Sequence, residues 1–242
     1  MNLFDQTSHR PWPLPTRPWI MKQVWRDLLF AHWPVPVAAL RPLVPAVLPL
    51  DTFDGQVWVT IAPFHMDIQP RGLPALPGMS RIPELNCRTY VTVDGKPGVY
   101  FFSLDITSRF AVWAARSFYH LPYFHAEMQV EDSGDEISYS SRRADAIWHS
   151  RYAPLSADTH RALPGTAEYF LTERYCLYAV HGSRVCRGDV HHAPWPLQRA
   201  HTEIEKNTIS EAAGIALHGP PALLSFTREI EVLVWWPEIV RS

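Results

Sequence analysis

Glu84, Asn86 and Arg88 stand two residues apart in the run Pro-Glu-Leu-Asn-Cys-Arg-Thr-Tyr-Val, residues 83 to 91. In an extended strand successive side chains alternate sides, so this acid, amide and base share one face. The carboxylate can take a proton, the amide can donate or accept a hydrogen bond, and the guanidinium can hold an anion through paired N–H donors. Leu85, Cys87, Thr89, Val91 and Val93 occupy the opposite face and offer an apolar side to a core. The polar side looks onto either solvent or a polar cavity. A structural ion pair between Glu84 and Arg88 is the plain alternative to a site.

A second strand reading covers Tyr123 to Val130. Phe124, Ala126, Met128 and Val130 make its apolar face, leaving Tyr123, His125, Glu127 and Gln129 on the other. Tyrosine, with an ordinary pKa near 10, can donate a proton or hydrogen bond to a carbonyl oxygen while a carboxylate acts as base. The resulting candidate site pairs Glu84 with Tyr123 for acid–base work. Arg88 or Arg116 would hold an anionic group, with Asn86, His125 and His32 as further ligand contacts. The segment His191 to Trp195 is a candidate lining for the mouth of such a cavity.

The elements that must position these residues are mostly short strands. Asp94-Gly95 between two β-rich runs, Leu85–Val93 and Gly98–Leu104, predicts a tight hairpin, because both residues tolerate positive φ. Apolar positions at 111, 112, 115, 118 and 119 follow helical spacing behind a Thr107 or Ser108 cap. Further strands are expected over 56–64, 124–130, 136–142, 175–181, 185–190, 200–205 and 223–234, with short helices over 37–43 and 164–172. Residues 25–33 are ambiguous between strand and helix, and 65–82, with three prolines, read as a loop. Residues 1–18 read as an arm, and 19–242 as a single domain. Closure into an antiparallel barrel or strongly curved sheet follows, since it removes exposed edges.

The charge balance, 22 basic against 24 acidic residues, provides no extended positive field for nucleic acid. Three cysteines without a Cys-x-x-Cys pair suit a reducing compartment, and no leader or membrane-spanning run stands out, so a cytoplasmic location is expected. Glycine-rich nucleotide loops, His-Glu-x-x-His and Gly-x-Ser-x-Gly are absent. Adjacent His191 and His192 point to opposite faces of a strand and cannot readily share an ion. Neither a metal nor a cofactor is expected. A small-molecule ligand is the expected partner, and a homo-oligomer is compatible with the chain.

The run 115 to 124 resembles the Gly-Arg-Glu-x-x-Gly-Tyr-Pro-Lys-Lys segment of acetoacetate decarboxylases, with Arg116 and Pro122 in register and Glu84 upstream. The broader pattern is similar to a bacterial YqjF-like family within that superfamily. It rests on Leu-Phe-Ala-His-Trp-Pro-Val (29 to 35), Pro-Glu-Leu-Asn-Cys-Arg-Thr-Tyr-Val (83 to 91), Phe-Phe-Ser-Leu-Asp (101 to 105), Glu-Arg-Tyr (173 to 175) and His-His-Ala-Pro-Trp-Pro-Leu (191 to 197). The resemblance implies a mainly β, cone-like antiparallel barrel of acetoacetate decarboxylase-like type, with two or three short helices and a small enclosed cavity. Enzymes of that fold use a lysine beside a second cation, which keeps the amine neutral for Schiff-base formation. Tyr123 and Phe124 stand at the corresponding positions here, and the chain's lysines are Lys22, Lys96 and Lys206. The expectation is therefore a binding protein for a keto or carboxylated metabolite. The alternatives are a lysine-independent lyase, hydratase or isomerase, and an interaction module built on the Trp-rich arm.

Overall fold

The computed structural model describes residues 3–74, 78–134 and 136–241. Thirteen strands form one sheet system: β1 (Met21–Val35), β2 (Val57–Pro70), β3 (Ile82–Val93), β4 (Lys96–Ile106), β5 (Tyr123–His125), β6 (Glu127–Asp132), β7 (Ile137–Arg143), β8 (Ala146–Pro154), β9 (Cys176–His181), β10 (Arg184–His191), β11 (Gln198–Asn207), β12 (Leu223–Val234) and β13 (Glu238–Arg241). The order β10-β9-β4-β3-β2-β1-β12 closes on itself because β10 also pairs with β12. Seven strands thus make a ring, and β11, β8, β7 and β6 run on from β12 as an outer layer. Neighbours are antiparallel except at β4–β5 and β4–β9, which are parallel.

Three short helices accompany the strands: α1 (Val37–Leu40), α2 (Arg109–Ala114) and α3 (Ala167–Thr172). Ser108 caps α2 by accepting from the Ala111 N–H at 3.2 Å. The helix continues as a π-helical turn through Tyr119 and ends at left-handed His120 (φ 54°), just before Pro122. Thr166 caps α3, so that helix starts after Pro164 rather than at it. The β3–β4 hairpin turns at Asp94 and Gly95, whose φ values of 51° and 72° fit a type I′ turn.

Several stretches differ from the pattern read along the chain, strands β8 and β13 among them. Residues 65–70 continue β2, because Phe64, Met66 and Ile68 keep alternating inward until Pro70 ends the strand. Residues 25–33 lie in β1, where left-handed Asp27 and a register shift between Arg26 and Ala31 break the period that would have marked a strand. The strand expected over 124–130 is two strands. The break at Ala126 leaves β5 beside β4 in the ring and sends β6 into the outer layer. Strand β8 carries its signal at Ala146, Trp148, Ser150 and Tyr152, all buried, but Ser and His dilute it in the sequence.

Both faces of β3 are covered. Leu85, Cys87 and Val91 pack between ring and outer layer against Tyr139, Trp148 and Tyr152. Truncating a fully buried ring such as Trp148 typically costs about 3–5 kcal/mol, so this layer holds the ring firmly. Tyr139 donates to the Glu84 carbonyl at 2.8 Å and Tyr152 to the Asp27 carbonyl at 2.9 Å, fastening the outer layer to β3 and to the β1 irregularity. The other face of β3 looks into the ring.

Candidate functional site

Inside the ring lies a cavity of about 340 Å³ whose walls include Glu84, Arg88 and Tyr123. Strand alternation explains the grouping: even-numbered residues of β3 point inward, and Tyr90, the next in the series, packs in the inner cluster with Phe101 and Leu104. Tyr123 arrives from β5, held parallel to β4 with Tyr123 opposite Leu104. Its hydroxyl donates to Glu84 Oε2 at 2.8 Å.

Glu84 is 4% exposed and has no cation against it among the described residues. Burial pushes its pKa up from 4.5 to about 7, while the Tyr123 and Asn86 side chains pull it back and Asp105 adds a small upward push. Burial likewise raises the Tyr123 phenol well above its ordinary value, and the neighbouring Glu84 adds to the effect. Near neutrality, therefore, Glu84 can either hold or release a proton, and Tyr123 stays neutral as a donor.

Arg88 is 8% exposed. No ion pair among the described residues involves it, and its Nε has no hydrogen-bond partner. Its guanidinium lies over the Phe30 ring at 5.1 Å and the Tyr90 ring at 6.0 Å. Arg174 also lines the cavity, but Asp51 neutralises it at 2.6 Å. His192, a third basic residue on the wall, is held neutral because burial lowers its pKa to about 4. Arg88 is thus the uncompensated cation among the described cavity residues.

Asn86 lies beside Glu84, with its Oδ1 unpartnered. His32 is completely buried behind Arg88 rather than on the cavity wall. Its Nδ1 meets Thr60 Oγ1 at 2.7 Å, and Thr60 in turn meets the Tyr90 hydroxyl at 2.6 Å. Burial and then the Arg88 charge drive the His32 pKa well down, so it is neutral. Arg116 and His125 do not reach the cavity. Arg116 is exposed on the π-helical turn, where its Nε donates to the Tyr123 carbonyl at 2.6 Å, fixing the start of β5 from outside. His125 precedes the break at Ala126, where the chain leaves the ring.

None of the three lysines lines the cavity. Met21 and Gln23 face inward, which turns Lys22 outward to Glu231 at 2.9 Å. No group of three or more His, Cys, Asp or Glu side chains suited to a metal ion occurs among the described residues. Several wall residues, including Trp25, Phe64, Tyr119 and Arg174, carry no motif of their own. Their signal was indirect: Arg174 and Trp195 fall within the Glu-Arg-Tyr and His-His-Ala-Pro-Trp blocks.

A family model described as an uncharacterized conserved protein, DUF2071, matches residues 22–231, which span both the ring and the outer layer. The chain belongs to the DUF2071 family. It is 49% identical over 226 residues to the protein YqjF of Bacillus subtilis, covering 92% of this chain and 93% of that one. Among solved structures, the enduracididine biosynthesis enzyme MppR complexed with pyruvate superposes with a TM-score of 0.65 at 10% identity, covering 96% of this chain and 94% of that one. An acetoacetate decarboxylase from Legionella pneumophila gives 0.62 at 10% identity over 98% and 94% of the two chains. An acetoacetate decarboxylase-like enzyme from Sphingomonas wittichii gives 0.61 at 13% identity over 97% and 98%. The fold is thus acetoacetate decarboxylase-like. Among the described residues no helix is long and apolar enough to cross a membrane.

Proposed function

We propose that the chain binds a small carboxylated metabolite inside the ring and does so without Schiff-base chemistry. The observation that carries this reading is Arg88: a buried guanidinium with no counter-charge, aimed into a cavity. A desolvated cation left unpaired costs several kcal/mol, and an incoming carboxylate removes that cost through a bidentate contact. MppR, which shares the fold, forms a complex with pyruvate, in keeping with a small carboxylate as a ligand. Imine formation has no amine to start from, since Lys22 points away from the cavity.

Thermal shift and native mass spectrometry against a panel of organic acids and ketones test the reading. Acids should raise the melting temperature of the natural chain and leave the Arg88→Met variant unmoved. A natural chain indifferent to every acid tried would remove the proposal.

Glu84 favours a second reading, in which the bound acid is also turned over. A carboxyl group titrating near 7 beside a neutral phenol suits proton abstraction and return, the work of a lyase, hydratase or isomerase. Here Glu84→Gln abolishes turnover and keeps ligand binding; unchanged turnover in that variant sinks the assignment.

A further inference from the structure

The cavity's walls say more about the ligand than its charge. Apart from Glu84, Arg88 and Tyr123, a minority of the wall is polar: Gln23, Tyr119, Thr172, the Asp51-paired Arg174 and neutral His192. The rest is hydrocarbon and aromatic, with Trp25, Phe64, Met66, Ile106, Phe101 and Trp195 around the space. Such a wall gives a short polar keto acid little to touch beyond its head group. A volume of about 340 Å³, set against roughly 30 Å³ per water-sized group, holds about ten or eleven such groups. Pyruvate has only six non-hydrogen atoms.

The route in is apolar too. Phe110 lines the cavity yet is 69% exposed, so it marks where the space meets solvent. From there an exposed aromatic ridge runs outward, Phe110 to Trp113 at 5.8 Å, Trp113 to Phe118 at 5.7 Å and Phe118 to Trp236 at 6.2 Å. Exposed rings in a contiguous row are unusual on a surface that meets only water. Their continuity with the cavity wall through Phe110 gives them a use as the outer part of an apolar entry path.

From the apolar wall, the single unpaired guanidinium and the aromatic entrance, we infer that the ligand is a hydrophobic monocarboxylic acid, with its head on Arg88 and a body of about seven to nine carbons along the wall. This rests on the proposed carboxylate-binding function and narrows it to a substrate class. Glu84, four residues along β3 and thus about 13 Å of strand from Arg88, faces the body rather than the head. A medium-length acid can reach from one to the other.

Calorimetry at pH 6 on the full chain, with butyrate, hexanoate, octanoate, decanoate, pyruvate and 1-octanol as separate probes, decides the matter. Affinity should rise roughly fourfold per methylene from butyrate to octanoate and stop rising once the cavity is full. Octanoate should bind at least tenfold tighter than 1-octanol, and Arg88→Met should erase that preference. Pyruvate binding as tightly as octanoate overturns the hydrophobic body and leaves the carboxylate reading standing. Octanol matching octanoate overturns the head-group contact and the proposed function with it. Both comparisons are made on the natural chain, so a poorly folding variant does not blunt them.

Discussion

On the outer side of the β3–β4 pair, Asp105 is fully buried and accepts from Arg143 Nε at 2.5 Å and from Ser141 Oγ at 3.1 Å. On the inner side, one residue along the same register, Glu84 is buried with a phenol as its donor, and Arg88 is buried with no acid at all. The two regions hold the same chemical types at similar depth. In the outer layer charge is matched to charge, and burial's upward push on the Asp105 pKa is countered by Arg143 and Ser141. In the cavity the charges are kept apart along the strand. A matched pair supports the fold, whereas an unmatched acid and base facing an open space are poised for something that arrives from outside.

Removing one arginine from each region should sharpen this contrast most. Arg143→Met leaves the Asp105 carboxylate buried without its partner and should cost about 3–5 kcal/mol in urea unfolding. Arg88→Met removes an unpaired buried cation and should leave stability of the ligand-free chain unchanged or higher. Equal losses from both would break the comparison, because Arg88 would then be a structural residue like Arg143.

Next in size is the pH dependence carried by Glu84. The folded chain keeps its proton up to about pH 7, whereas the unfolded chain releases it near pH 4.5. The folded state therefore binds more protons in that window and loses stability as pH rises through it, by on the order of 3 kcal/mol. Glu84→Gln should abolish this loss, so the variant gains on the natural chain between pH 4.5 and 7.5. Parallel stability–pH curves would place Glu84 with the matched groups of the outer layer.

The smallest effect belongs to the phenol. Tyr123→Phe deletes the hydroxyl that donates to Glu84 and should cost about 1 kcal/mol. It should also move the Glu84 titration above 7, since that hydrogen bond favours the ionised form. An unmoved Glu84 titration, followed by carboxyl NMR, would mean that the hydroxyl does not tune the acid.

Local chemistry along the chain was enough for the Asp94-Gly95 turn, the Ser108 cap and the common face of Glu84, Asn86 and Arg88, because each depends on residues within a few positions of one another. That tyrosine stands at 123 where a decarboxylase would need lysine was legible only through the resemblance of the run 115 to 124 to the decarboxylase segment. Whether the shared face met water or a cavity was not legible. That depended on β10 pairing with both β9 and β12 and on the layer from β6 to β8 covering the opposite face, contacts between residues far apart in sequence. Placement of His125 and Arg116 outside the cavity followed from the break at Ala126 and from the π-helical turn, where tertiary packing overrode a plausible continuous period. Alternation assigns a side chain to a side of its strand; only closure of the ring decides which side is the inside, since it is set by pairings that no local pattern encodes.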